Sequence, residues 1–145
     1  MSNNASSLDD KIKLLRLEGL RYCENADRNL KVALLQADQR LKEAQEEFVK
    51  REKQVATLSK QFGMMKVTRI VEIAKLVVDQ KSVDMTELKL QEIDAMHQYV
   101  IPLVHQMKTV ELREKEFNLV KDKIDVNAHV YGLYKKEIES HNAGQ

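Results

Sequence analysis

A seven-residue repeat of apolar side chains limits most strongly what this chain can fold into. The first series consists of Leu34, Leu41, Phe48, Val55 and Phe62. Apolar residues that recur at alternating three- and four-residue steps lie along one stripe of an α-helix. Charged and amide side chains occupy most of the positions between them. A long helix with one narrow apolar stripe is not stable alone in water, so this helix requires a partner.

A second series with the same spacing provides that partner, and it consists of Met96, Leu103, Val110, Phe117, Ile124, Tyr131 and Ile138. The polar stretch Asp79–Thr86 separates the two series. Two apolar heptad stripes joined by a short polar segment predict an all-α fold, a long antiparallel helical hairpin that resembles a coiled coil. The predicted hairpin core consists of Leu34, Leu41, Phe48, Val55, Phe62, Leu103, Val110, Phe117, Ile124 and Tyr131.

The position of the hairpin tip determines which residues face each other. A tip near Ser82 and Val83 aligns the two series so that each apolar residue of the first faces one of the second. The resulting pairs are Phe62 with Leu103, Val55 with Val110, Phe48 with Phe117 and Leu41 with Ile124. Any two seven-residue series can be aligned in this way, so the register depends on the tip alone.

The segment boundaries follow from the same patterns. We expect a disordered tail at residues 1–7, one elongated helical domain at 8–141 and a C-terminal tail at 142–145. Within the domain we expect a helix at 8–80, a turn at about 81–85 and a second helix at 86–141. Pro102 removes a backbone donor and predicts a kink in the second helix. Gly19 leaves two options open for residues 8–25, which either continue the first helix or fold back as a third.

The composition narrows the class of protein. Charged residues make up 32% of the chain and aromatic residues 5%, which suits long helices. The single Cys23 excludes an intramolecular disulfide and favours a reducing compartment. No segment resembles a signal peptide or reaches the ~20 apolar residues of a membrane span. We therefore expect a cytoplasmic protein, and the net charge of +1 gives no general attraction to nucleic acid or anionic lipid.

Few residues suggest chemistry. Asp94 and His97 have the carboxylate-x-x-His spacing of helical di-metal sites, but those sites require two such motifs and further carboxylates. Cys23 has no histidine near it in the sequence and is expected to be a packed thiol. Phosphate-binding loops, nucleophile elbows and zinc-ligand pairs are missing from the sequence. We expect no enzyme activity, no cofactor, no metal and no small-molecule substrate.

Two charged features have alternative interpretations. Arg51 interrupts the apolar stripe of the first helix. It either pairs with Glu114 on the facing helix to fix the register or extends outward into solvent.

Several cations make the middle of the first helix basic, namely Lys50, Arg51, Lys53, Lys60, Lys66 and Arg69. They either contact phosphates or form an ordinary solvated face. The second interpretation is favoured, because carboxylates at four-residue spacing balance them.

The chain has more apolar surface than one helical stripe can bury against a single partner helix, and this surplus predicts self-association. With the tip near Ser82 the second helix ends opposite Asp27, and Val67–Val78 is apolar over more than one seam. Two hairpins packed as a dimeric helical bundle bury both surfaces, with Leu15 and Leu20 or Val71 and Val78 at the interface. A monomer with residues 8–25 folded back is the competing arrangement.

These patterns favour a non-enzymatic coiled-coil protein with a structural or adaptor role. It is expected to bind another copy of itself or another helical protein, and so to bridge or scaffold an assembly. The first alternative is a peripheral membrane-surface protein of the curved, dimeric helical type that BAR domains represent. A nucleic-acid-binding helical dimer is the second alternative.

Overall fold

The computed structural model describes the backbone of residues 2–143 and the side chains of residues 7–140. The helices are α1 (Ser2–Phe62), α2 (Met64–Val78), α3 (Leu90–Ala95), a π-helical turn (Met96–Val100) and α4 (Ile101–Ala143). Residues 2–143 contain no strand, which confirms the predicted all-α class. The predicted tails at residues 1–7 and 142–145 fall mainly on residues outside the described side chains, although the backbone of α1 begins at Ser2.

The chain divides into two compact units, which are described separately. Unit 1 consists of Met1–Asp38 and Glu116–Gln145, and unit 2 consists of Gln39–Lys115. Residues 8–25 continue α1 in unit 1 and do not fold back as a third helix.

The first helix ends at Phe62, directly before Gly63 and eighteen residues before the predicted end at residue 80. The backbone of Gly63 has φ 87° and ψ 151°, a conformation that residues with a Cβ atom rarely adopt. The N–H of Gly63 donates to Ser59 O at 2.9 Å, and its carbonyl accepts from Val67 N–H at 3.1 Å. Helical hydrogen bonds therefore reach this residue from both sides, and the direction of the chain changes at a single glycine.

The ion pairs of unit 2 establish the direction of α2. Lys66 Nζ lies 3.6 Å from Glu92 Oε2 near the beginnings of α2 and α3. At the other end of α2, Asp79 pairs with Lys108 on α4. A later residue of the α2 segment thus pairs with a later residue of the following helices. The helix α2 therefore runs parallel to the chain from Leu90 to Lys108. The non-helical residues 79–89 return between these ends, and a fully extended segment of that length reaches roughly 35 Å.

A closed hydrophobic core lies within unit 2. It combines side chains from the end of α1, from α2, from the connecting segment and from the beginning of the following helices. The buried members are Val55, Leu58, Val67, Ile70, Ile73, Ala74, Leu88, Ala95, Met96, Val100, Leu103 and Val104. A third helix is what closes this core, since α2 covers the surface that two helices alone would leave open.

The connecting segment is longer than the predicted turn at 81–85. Asp84 accepts hydrogen bonds from the Thr86 N–H at 2.9 Å and from its hydroxyl at 2.6 Å. These bonds lower the pKa of Asp84, with the bond from the Thr86 hydroxyl contributing most. They form a local turn, so the next helix begins at Leu90 and not at residue 86.

Pro102 lies within the helical backbone, two residues after the end of the π-helical turn. The N–H of Ile101 donates to the carbonyl of Met96, five residues back. Proline has no N–H and its ring crowds the carbonyl four residues back, and the wider turn before Pro102 gives the ring more space. The predicted perturbation near residue 102 therefore takes the form of a π-helical turn, and the helix continues through Pro102.

Unit 1 consists of two antiparallel helical segments from α1 and α4. Asn127 Nδ2 donates to Cys23 O at 2.8 Å, and Arg16 Nε lies 3.4 Å from Glu137 Oε2. Later residues of α1 thus face earlier residues of α4. Of the side chains described in this unit, only Cys23 and Ala37 are buried. Two helices bury one stripe each, so the core of unit 1 stays partly exposed.

Candidate functional site

An open groove runs between α1 and α4 in unit 1 and has a volume of about 720 Å³. Gly19, Tyr22, Cys23, Ala26, Asn29 and Leu30 of α1 line one wall, and Asp122, Lys123, Val126, Asn127, Val130 and Tyr134 of α4 line the other. Most of the lining is apolar, with polar groups at the rim. The groove is therefore an apolar surface that the described residues of unit 1 leave uncovered.

A close approach at Gly19 and one half-buried amide contact hold the floor of the groove together. The backbone at Gly19 is so close to the Tyr134 ring that an added Cβ would lie 2.7 Å from the ring carbon Cζ. The hydrogen bond from Asn127 Nδ2 to the carbonyl of Cys23 satisfies a half-buried amide donor and links the two helices. These contacts fix the relative position of the two helices along the groove.

Two exposed apolar stripes border the groove, and we call them together the open face. The stripe on α1 consists of Leu8, Leu15 and Tyr22, and the stripe on α4 consists of Leu119, Val126 and Leu133. Tyr22 is 75% exposed and Val126 is 64% exposed, although both line the groove. Seven-residue spacing places the members of each stripe on one side of their helix. An apolar surface of this extent usually marks a binding site for another protein.

The described side chains give little support for a catalytic or metal-binding site. Among residues 7–140, no three His, Cys, Asp or Glu side chains come together in a way that could hold a metal ion. His97 and Asp94 are both exposed, and Cys23 is buried beneath the groove. The predictions that the protein has no metal, no cofactor and no catalytic activity stay predictions.

The predicted hairpin core residues are divided between the two units. In unit 2, Val55 and Leu103 are buried in the core, Phe48 and Phe62 pack against it, and Leu41 and Val110 are half-buried. In unit 1, Leu34, Phe117, Ile124 and Tyr131 are half-buried. All ten positions thus face inward at least in part, which is what a heptad stripe predicts locally.

The predicted register differs from the one found in unit 2. Gln106 Nε2 donates to Ala44 O at 3.0 Å, whereas a tip near Ser82 would place Ala44 opposite Lys121. The reason is that the chain leaves α1 at Gly63, and residues 64–89 form α2 and its return segment. The tip assumed from the sequence is part of that return segment.

The four predicted self-association residues have different surroundings. Leu15 is exposed on the open face, whereas Leu20 is half-buried in unit 1. Val71 and Val78 pack against the core of unit 2, so α2 uses them within the chain. The sequence reasoning missed Tyr22, Leu119, Val126 and Leu133. Their seven-residue spacing was the signal that could have revealed them.

Of the two interpretations of Arg51, the register-fixing pair with Glu114 is not found in the structure. Arg51 Nε lies 3.2 Å from Glu47 Oε1, one turn earlier on the same helix, and Glu114 is exposed. The side chain of Arg51 is half-buried. The ion pair along the helix balances the charge of Arg51, but its buried Nε has no hydrogen-bond partner among the described residues.

Comparisons with protein-family models, with curated proteins and with solved structures found no match for this chain. None of the helices in the described part of the chain carries an apolar run sufficient for crossing a membrane.

Proposed function

We propose that this chain is a long helical hairpin that acts as a non-enzymatic adaptor and self-associates through the open face of unit 1. The dimer would form a helical bundle that scaffolds an assembly. A reducing cytoplasm suits the single thiol of Cys23.

The observation that supports this function is the difference between the cores of the two units. Unit 2 obtains a third helix from its own chain and gathers twelve buried apolar side chains in one core. In unit 1, the described side chains include only two buried ones, and both stripes of the open face remain in contact with water. Full burial of one large aliphatic side chain is worth roughly 1.5–3 kcal/mol, so covering this face would be strongly favourable.

A second copy of the same chain is the occupant that fits the open face best. The stripes on α1 and α4 have the same seven-residue spacing and the same number of members. Each extends about 21 Å at the helical rise of 1.5 Å per residue. A two-fold axis would therefore place the α1 stripe of one protomer against the α4 stripe of its partner. Closed two-fold dimers are the commonest symmetric assemblies, and the result is a four-helix bundle.

Analytical ultracentrifugation of paired variants tests this proposal. Tyr22→Glu and Leu35→Glu both place a carboxylate at an exposed position of α1 in unit 1, since Leu35 is 71% exposed but lies outside the groove lining. We expect the wild type and Leu35→Glu to be dimers at tens of micromolar. Tyr22→Glu, and Val126→Glu on the other stripe, should weaken dimerisation by at least roughly 100-fold, because each buries a charge.

Two results would contradict the proposal. A wild-type monomer that remains helical at these concentrations would exclude self-association. A dimer that tolerates Tyr22→Glu and Val126→Glu, and dissociates with Leu35→Glu, would place the interface on another face of α1.

A further inference from the structure

Gly63 lies between α1 and α2 and is hydrogen-bonded as a member of both helices. Its N–H donates to Ser59 O, four residues back, and its carbonyl accepts from Val67 N–H, four residues ahead. Both bonds have the spacing of an α-helix. The backbone angles of Gly63 itself, φ 87° and ψ 151°, interrupt the helix. A change at this one residue would therefore join α1 and α2 into a single helix.

The start of α2 lacks the features that usually stabilise the beginning of a helix. Gly63 offers no side chain as a cap, and the first turn of α2 contains no acidic residue. The first three N–H groups of α2 have no carbonyl to bind within that helix. In a joined helix they would bind the carbonyls of residues 60–62 at the end of α1. The local sequence therefore favours a continuous helix over a break.

The core of unit 2 opposes this straightening as long as the chain is alone. Val55 and Leu58 of α1 are buried in one core with Ile70 and Ile73 of α2. A joined helix would carry the end of α2 roughly 24 Å beyond the end of α1, at a rise of 1.5 Å per residue. The two helices of one chain could then no longer share a core. A second copy of the chain contains the identical α1 and can replace the one that is lost.

We propose that Gly63 is a hinge for domain swapping, at which two copies of the chain straighten and exchange α1. In this exchanged dimer, α1 of one protomer packs against α2, α3 and α4 of its partner through the contacts that one chain otherwise makes alone. Very short hinges favour such an exchange. The part of α1 in unit 1 is exchanged as well, since α1 is one helix. The inference goes beyond association through the open face and does not depend on it.

Two exposed methionines mark the surface that is new in the exchanged dimer. Met64 and Met65 directly follow the hinge and are 76% and 89% exposed. In each exchanged core, Phe62 of one protomer occupies the place beside Met64 of the other, so the two hinges lie side by side. The methionines of both protomers can then bury apolar surface that the monomer leaves in water. This burial favours the exchanged dimer over two separate chains.

Analytical ultracentrifugation after refolding from urea tests the hinge. Exchange requires α1 to leave its core, so it takes place during folding and is slow in the native protein. The parent protein carries Tyr22→Glu and Val126→Glu, which remove association through the open face. Refolded at hundreds of micromolar, it should form a dimer. Adding Gly63→Ala should lower the dissociation constant by at least about 100-fold, because alanine favours a helix, disfavours a positive φ and occurs twice per dimer.

Gly132→Ala in the same parent protein is the matched control. Gly132 lies within α4 and has no positive φ, and an added Cβ would have no atom within 4 Å, as at Gly63. Alanine should therefore favour the helix at Gly132 as it does at Gly63. The dissociation constant of the dimer should nevertheless stay that of the parent, since α4 contains no hinge.

An isotope-filtered NOE experiment identifies the exchanged contacts. Labelled and unlabelled chains with Gly63→Ala are refolded together, and contacts of Val55 and Leu58 with the other core side chains should appear between labelled and unlabelled chains. If either the parent or the Gly63→Ala protein stays monomeric, folded or not, the proposal is overturned. A dimer in which these contacts stay within one chain overturns it too. Neither result affects dimerisation through the open face, which the Tyr22→Glu comparison with the wild type tests separately.

Discussion

At the scale of single residues, the pair formed by Gly19 and Tyr134 shows how unit 1 is positioned. The Tyr134 ring occupies the space that a Cβ at residue 19 would need, and the closest distance would be 2.7 Å. Glycine in a helix interior costs about 1 kcal/mol relative to alanine. In α1 the lack of a side chain at Gly19 allows the Tyr134 ring to approach the helix backbone closely, so the glycine has a packing role.

This relationship predicts a non-additive pair of substitutions. Gly19→Ala alone should destabilise the protein, because the clash with Tyr134 outweighs the gain in helix propensity. In a Tyr134→Ala background the same change should instead stabilise it by up to about 1 kcal/mol, since the ring is gone. Urea unfolding of the four proteins at one concentration measures the difference. Equal effects of Gly19→Ala in both backgrounds would mean that the ring and the glycine are not coupled.

Gly63 shows what a residue pattern leaves undetermined. Gly19 and Gly63 both interrupt an apolar repeat in the sequence, yet α1 continues through the first and ends at the second. The difference lies in tertiary packing, because the break at Gly63 allows Ile70 and Ile73 to become fully buried in unit 2. The residues next to each glycine could not distinguish the two positions, since glycine is compatible with both a helix and a turn.

At the scale of secondary-structure elements, the class of every long element was predictable but the register was not. The breadth of the apolar face in Val67–Val78 was visible in the sequence, and α2 uses it to pack on the core. A seven-residue series can be shifted by one repeat without changing its pattern, so only the position of the chain reversal selects the register. That position depended on Gly63, and the polar residues near Ser82 suggested another one.

The Asp79–Lys108 ion pair fixes the end of α2 and predicts how unit 2 responds to acid. The hydrogen bond and the charge of Lys108 lower the pKa of Asp79. A carboxyl group with a lowered pKa stabilises the fold above its unfolded-state pKa of about 3.9, and this contribution is lost as the pH falls through the folded-state value. Stability at pH 5 to 7 should therefore include the pair, and stability at pH 2 should not.

Urea midpoints measured between pH 7 and pH 2 test this relationship. Asp79→Asn should flatten the decline of stability below about pH 4, and Lys108→Gln should flatten it similarly, because each removes the same pair. The effect should be small and should shrink in high salt, since the pair is exposed. If the stability of the Asp79→Asn variant declines with falling pH as steeply as that of the wild type, other carboxyl groups determine the response to acid.

At the scale of the whole molecule, the two units differ in how much of their core the chain itself supplies. Unit 2 has its own third helix and a closed core, whereas unit 1 has two helices and the open face. The sequence predicted a surplus of apolar surface and a second copy to cover it. It placed part of that surplus at Val71 and Val78, which are partly buried against the core of unit 2. Of the open face of unit 1 the sequence predicted only Leu15, because the exposed stripe of α4 lies beside the heptad series that contains Phe117 and Ile124.

The difference between the units leads to a prediction about amide hydrogen exchange. Binding that occurs only in the folded state adds stability that depends on the concentration of the partner. Protection in unit 1, around Cys23 and Asn127, should therefore increase with protein concentration through the dimerisation range. Protection in unit 2, around Ile70 and Met96, should be the same at all concentrations, since its core is complete within one chain. Tyr22→Glu should hold unit 1 at its low-concentration protection and leave unit 2 unchanged. If protection in unit 1 does not vary with concentration in the wild type, no second copy covers the open face in the native state.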